Sequence, residues 1–280
     1  MSELYNVRRK RGFNFNITFF LIAINVACFL IFNILIYFNP TFINYFALSP
    51  LGIINNFYLW TLLTSMFMHA GFTHLFFNMI SLFFLGTLVE RIIGRKRFIW
   101  FYLISGILAG LFFALSSGFF GYRIGEKIFG NPSVLGVGAS GAIFGLVGIL
   151  TILIPKKKVY LILGPLLAII IQTILASLFP SSSLLNILSV LINFYIILSI
   201  FSIISFNPKL QKITLHVGMP FWILPIVSII PLIIIGLFVD LPIGNMAHLG
   251  GFIVGLTYGI YLKKKYKNKS VYINNYFSRE

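Results

Sequence analysis

The sequence predicts an all-α polytopic membrane protein, and three observations carry that expectation. Apolar residues make up 59% of the chain and charged residues only 9%, where an ordinary soluble domain carries about 25% charged residues. Several apolar runs reach the roughly 20 residues that a helix needs to cross a bilayer core of about 30 Å. The basic residues fall in short clusters between those runs: Arg8 to Arg11, Arg91 to Arg97, Lys156 to Lys158, Lys209 with Lys212, and Lys263 to Arg279. A net charge of +16 would suggest nucleic acid in a soluble protein. Here its alternation with apolar runs is the positive-inside pattern, so it reports topology and no nucleic-acid partner is expected.

Eight spans follow in chain order. The first, 15–38, comes after the basic segment 1–14; it is too long for a signal-peptide core and lacks a small-residue cleavage site, so it reads as a retained span. Residues 39–72 form a long outer loop, too rich in aromatics for a solvated linker and suited to the membrane interface. Spans 73–92 and 98–117 come next, then an outer loop, 118–136, holding Arg123 and Lys127. Span 138–154 is followed by 159–179 and 184–205, which turn around Pro180 and Ser181 to Ser183 and read as an inserted helical hairpin. Span 217–238 carries Pro220, Pro225 and Pro231, which favour a deformable helix. The last span, 245–262, leads into a basic tail, 263–280. With both termini inside, every basic cluster falls on the cytoplasmic side except Arg123 and Lys127. The membrane domain is then 15–262, with the hairpin 159–205 inserted in it. Cys28 is alone inside the first run, so neither a disulfide framework nor a cysteine metal site is expected. No cofactor is implied.

Polar groups inside spans are costly and mark function. At about 1.5 Å per helical residue, heights can be counted from the basic clusters. Ser140 lies about 24 Å above Lys156, His248 about 22 Å above Lys263, and His74 and Asn78 about 26 and 20 Å above Arg91. A serine, two histidines and an asparagine therefore share one layer below the outer edge. Serine becomes nucleophilic beside a base, usually histidine. The oxyanion that its attack creates needs donors. His74 and Asn78 are four residues apart on one helix face, and the Ser140 N–H at a helix start is a further donor. Gly141 and Gly145, with Gly251, Gly255 and Gly259, let the serine and histidine helices approach closely. Phe144, one turn below Ser140, is placed to floor the imidazole.

These residues resemble the rhomboid intramembrane serine proteases. The matching pieces are MHAGFTHLFFNM (68–79), LGTLVERIIG (85–94), GVGASGAIFG (136–145) and NMAHLGGFIVG (245–255). The resemblance implies a six-helix core, covering roughly 15–154 and 213–262, to which the hairpin 159–205 is added. It implies a Ser140–His248 dyad, oxyanion stabilisation by His74, Asn78 and the Ser140 amide, and supporting places for Gly138 and His69. It assigns 217–238 to the span that gates substrate entry. Trp60 is followed by Thr61 where many members have Trp-Arg. Single-pass membrane proteins cut in or near their transmembrane segments are the expected substrates, with the lipid bilayer as solvent. The plasma membrane of a prokaryote is the expected location.

Other readings weigh less. A catalytically inactive rhomboid-like factor that binds membrane proteins would lack the serine or the histidine. A transporter would show charged mid-span residues or an inverted repeat. Asp240 is the acid nearest His248 in sequence and would complete a triad. His216 reads as an inner surface residue, and Glu90 as a structural anchor beside Arg91.

Overall fold

The computed structural model describes residues 16–179, 183–204, 216–238 and 244–278. Helix α1 (Ile17–Phe38) opens on Asn16, whose side chain accepts from the Thr18 N–H. A residue far along the chain caps the same end. Glu90 accepts from Ile17 N at 3.0 Å, Thr18 N at 2.9 Å and Thr18 Oγ1 at 2.8 Å. A carboxylate at a helix N-terminus is doubly favoured, by hydrogen bonding and by the helix dipole. Glu90 is therefore an anchor, and its cation is Arg95, at 3.7 Å, rather than Arg91.

The loop 39–72 is folded. Short helical turns at Ile43–Phe46, Pro50–Asn56 and Thr61–Thr64 are tied together by Trp60 Nε1 donating to Tyr45 O (2.8 Å) and Thr64 Oγ1 to Phe46 O (2.7 Å). Its large apolar side chains Tyr45, Phe57, Leu59, Trp60 and Phe72 are exposed, as suits a segment facing lipid headgroups.

Helix α2 (Phe72–Ser81) passes through a π turn, Leu82–Gly86, into α3 (Thr87–Ile93). At the π turn α1 presses close: a Cβ on Gly86 would lie 2.9 Å from Thr18 Cγ2. Gly94, at φ +83°, reverses the chain into α4 (Arg95–Phe120). Helix α1, the continuous Phe72–Ile93 unit and α4 are each long and apolar enough to cross a membrane.

Helix α5 (Ser140–Leu153) is shorter, at 14 residues, and ten of them are buried, so it forms the centre of the bundle. At about 21 Å it is too short to cross the whole hydrocarbon core by itself. Helix α9 (Asn245–Lys265) packs on it more extensively than any other element does, with α4 on the next flank. Small residues permit this. A Cβ on Gly251 would fall on the Gly141 carbonyl, and one on Gly255 on the Gly145 carbonyl. Gly255→Ala should therefore force α5 and α9 apart and cost about 1–3 kcal/mol, read from detergent-based unfolding of the purified protein. An unchanged unfolding midpoint would remove the close approach from the account.

The boundaries of the insert differ from those the hydropathy suggests. Residues 159–162 and 217–220 do not begin helices. They lie in strands β1 (Lys158–Ile162) and β2 (His216–Pro220), which pair antiparallel from Lys158 opposite Pro220 to Ile162 opposite His216. Apolarity alone cannot separate a short β-branched strand from the first turn of a span. Between them rise α6 (Leu163–Leu178) and α7 (Ser183–Ile204), which pack chiefly on each other. Helix α8 (Leu224–Phe238) follows β2, so Pro220 closes the strand, Pro225 sits in the first helical turn and only Pro231 lies inside the helix.

Residues 263–265 and 267–278 of the expected basic tail 263–280 are helical. Lys263 to Lys265 complete α9, and α10 (Lys267–Ser278) folds back beneath α5. Its Phe277 is buried in the main core, with Lys157 Nζ 4.8 Å from the ring centroid. The segment's charges hid that apolar contact.

Candidate active site

The chain reaches Ser140 through a constrained loop. Gly136 and Leu48 exchange backbone hydrogen bonds of 2.9 and 2.8 Å, and Gly138 N donates to Ser65 O at 2.9 Å. Gly138 has φ +124°, a left-handed conformation that favours glycine. A Cβ there would also lie 2.8 Å from the His74 ring, so backbone and imidazole are in close contact. Leu48, Ser65 and Gly136 thus position the loop, yet nothing in their sequence spacing marks them. Their role depends on pairing between segments far apart in the chain.

Ser140 is the first residue of α5, after Ala139, which provides no side-chain cap. The N–H groups of a first helical turn have no intrahelical acceptors. Ser140 Oγ lies 2.9 Å from His248 Nε2, across 108 residues of sequence. The His248 ring stacks on Phe144, with centroids 4.4 Å apart and planes 19° apart. Gly141 lies against Ala247, so the same glycine contact that packs the helices sets the dyad spacing.

His74 and Asn78 come from α2, which flanks α5. Asn78 is buried, and its Nδ2 donates to the His74 carbonyl at 2.9 Å, which leaves one amide hydrogen. His69 lies in the loop before α2, with its ring centroid 5.2 Å from that of His74. Burial, with His74 beside it, pushes the His69 imidazole down to about 4, so it is neutral around pH 7. Asp240 falls outside the described residues, as do Lys209 and Lys212. His216 is in β2, opposite Ile162. Among the described residues no cluster of histidine, cysteine and carboxylate side chains is arranged to hold a metal.

A serine beside an imidazole, at an uncapped helix start inside an apolar bundle, is equipped for attack on a carbonyl. The Rhomboid domain model matches residues 56–194 and 195–265. Three curated relatives illustrate the range of similarity. "Putative rhomboid protease YdcA" of Bacillus subtilis (strain 168) is 40% identical over 90 residues, 32% of this chain and 39% of that protein. "Rhomboid protease GluP" of the same organism is 37% identical over 103 residues, 36% of this chain and 17% of that protein. "Inactive RHOMBOID-like protein 8" of Arabidopsis thaliana is 39% identical over 69 residues, 25% of this chain and 20% of that protein. The match thus spans well under half the length of each of these relatives. With the family model covering 210 of its 280 residues, this integral membrane protein belongs to the rhomboid family.

Proposed function

We propose that the chain is an intramembrane serine endopeptidase. In this reading it has eight spans with both termini in the cytoplasm, and it cuts single-pass membrane proteins in or near their transmembrane segments. The observation that carries the reading is the 2.9 Å contact between Ser140 Oγ and His248 Nε2. His248 takes the Ser140 proton as Oγ bonds to the scissile carbonyl carbon. The carbonyl oxygen becomes an oxyanion, held by the Ser140 N–H, the His74 ring and the free Asn78 amide hydrogen. Collapse breaks the C–N bond, and the leaving amine takes the proton from His248. Water then attacks the acyl-serine, giving its proton to His248, which returns one to Ser140 Oγ as the carboxyl product leaves. Phe144 holds the imidazole plane throughout.

An inactive binding factor is the second reading, favoured by the relative named inactive. Against it, this chain keeps both dyad residues in hydrogen-bond contact. The test is cleavage of a fluorescent transmembrane substrate by the purified protein in detergent. Native chain that cuts no faster than Ser140→Ala would leave the binding reading.

The oxyanion assignment has its own test. His74→Ala and Asn78→Ala should each lower kcat by roughly 10²–10³ with KM little changed, the usual effect of losing one donor. Wild-type kcat in either would return that residue to a structural role.

A further inference from the structure

The end of the bundle opposite Ser140 holds a cleft of about 460 Å³ between the start of α1 and the α3–α4 junction. Phe19, Phe83, Thr87, Glu90, Arg91 and Arg95 are among its lining residues. Arg91 lies seventeen residues beyond His74 on the continuous Phe72–Ile93 unit, about 26 Å away along the axis. The cleft therefore opens at the basic end, where lipid headgroups begin.

Its polar groups are unequally engaged. The Glu90 oxygens accept from two α1 N–H groups and the Thr18 hydroxyl, and Arg95 Nε stands 3.7 Å from one of them. Thr87 Oγ1 donates to Phe83 O. Arg91 is exposed, and among the described residues no acceptor is within hydrogen-bond reach of its guanidinium. Two arginines against one carboxylate leave the cleft with one net positive charge. Phe19 and Phe83, which also line it, stand edge to face at 5.6 Å and are exposed, at 53% and 38%. A free cation and an aromatic pair lining one cleft at headgroup depth suit an amphiphile with a single anionic group. A free phosphate would use the cation and leave the aromatic pair without a role.

We infer that this cleft binds the phosphodiester of an anionic phospholipid, with Arg91 as its principal ligand and Phe19 and Phe83 against the upper acyl chains. The site bears on the fold because α1 buries only Thr18, Leu21 and Asn25, all near this end. A lipid wedged here braces α1 where it is held to the bundle.

The experiment uses the full chain, delipidated in detergent, titrated with phosphatidylglycerol or phosphatidylcholine and read by native mass spectrometry. Phosphatidylglycerol should bind more tightly. Arg91→Gln should weaken it about fivefold, the usual effect of one basic residue at a membrane surface. Lys96→Gln removes the same charge from an exposed position on α4 outside the cleft and should change binding less than about twofold. Arg91→Lys should restore most of the affinity. Equal losses in Arg91→Gln and Lys96→Gln would reduce the effect to diffuse charge and overturn the site. Displacement of the lipid by an equal concentration of inorganic phosphate would overturn its assignment to a phospholipid.

Discussion

Ser140→Ala is expected to abolish cleavage of a transmembrane substrate, and His248→Ala to do the same. Each should lower kcat by about 10⁴-fold or more, the scale seen when a nucleophile or its base is removed. The fold should survive. The 2.9 Å contact joins two helices that already meet over most of their length through Gly141, Gly145, Gly251 and Gly255. Losing one hydrogen bond there costs about 1 kcal/mol, which the unfolding midpoint will register without loss of the native state. The double variant should be no slower than either single one, because two residues acting as a unit are lost together. Asp240→Asn supplies the contrast. If the dyad suffices it should be nearly silent, and a loss matching that of His248→Ala would establish a triad. Residual cleavage in Ser140→Ala at the native rate would end the serine mechanism.

The site and the fold were legible in the sequence to different degrees. Ser140, His248, His74 and Asn78 are polar side chains in apolar runs, where they are costly, and histidine occurs only four times in the chain. Counting residues from the basic clusters puts them at similar heights along their helices, and the contact between Ser140 and His248 agrees with that. The glycine stripes at 141–145 and 251–259 add which helices meet. What count and composition do not carry is pairing between distant segments that are not helical. The Gly136–Leu48 bridge and the Ser65 carbonyl shape the approach to Ser140, but neither has a periodicity of its own. The strands at Lys158–Ile162 and His216–Pro220 are apolar enough to merge into the adjoining spans, and only their mutual register identifies them. Glu90 was readable as an anchor, whereas its use as the cap of α1 depends on a contact 72 residues away. Helix α10 was hidden by its own lysines, because a basic stretch ending in one buried aromatic, Phe277, looks like a solvated tail.

That strand pair makes the insert removable in a defined way. Ile162 and His216 face each other at the end of the register, which is where a two-residue turn closes a hairpin. Replacing residues 163–215 by Asn-Gly, the dipeptide suited to a type I′ turn, should leave β1 and β2 paired. Helix α8 would still leave the inner face and α9 would still return to it, so His248 would reach Ser140 as before. The shortened chain should have six spans and cut the same substrate. Removing α7 alone, residues 183–204, should do the opposite. One inserted span would remain, α8 would start from the outer side, and His248 would be carried to the inner half. Ser140 lies about 24 Å above the inner basic cluster, so no hydrogen bond could form and activity should vanish. The topology behind this can be read independently. With Cys28 replaced, cysteines placed at Ser182 and Ile243 should label from outside, and one at Gln211 only after permeabilisation. All three positions lie beyond the described residues, so labelling tests the span count itself. External labelling of position 211 would break the eight-span arrangement, and cleavage lost on replacing 163–215 would show that the hairpin is part of the active fold.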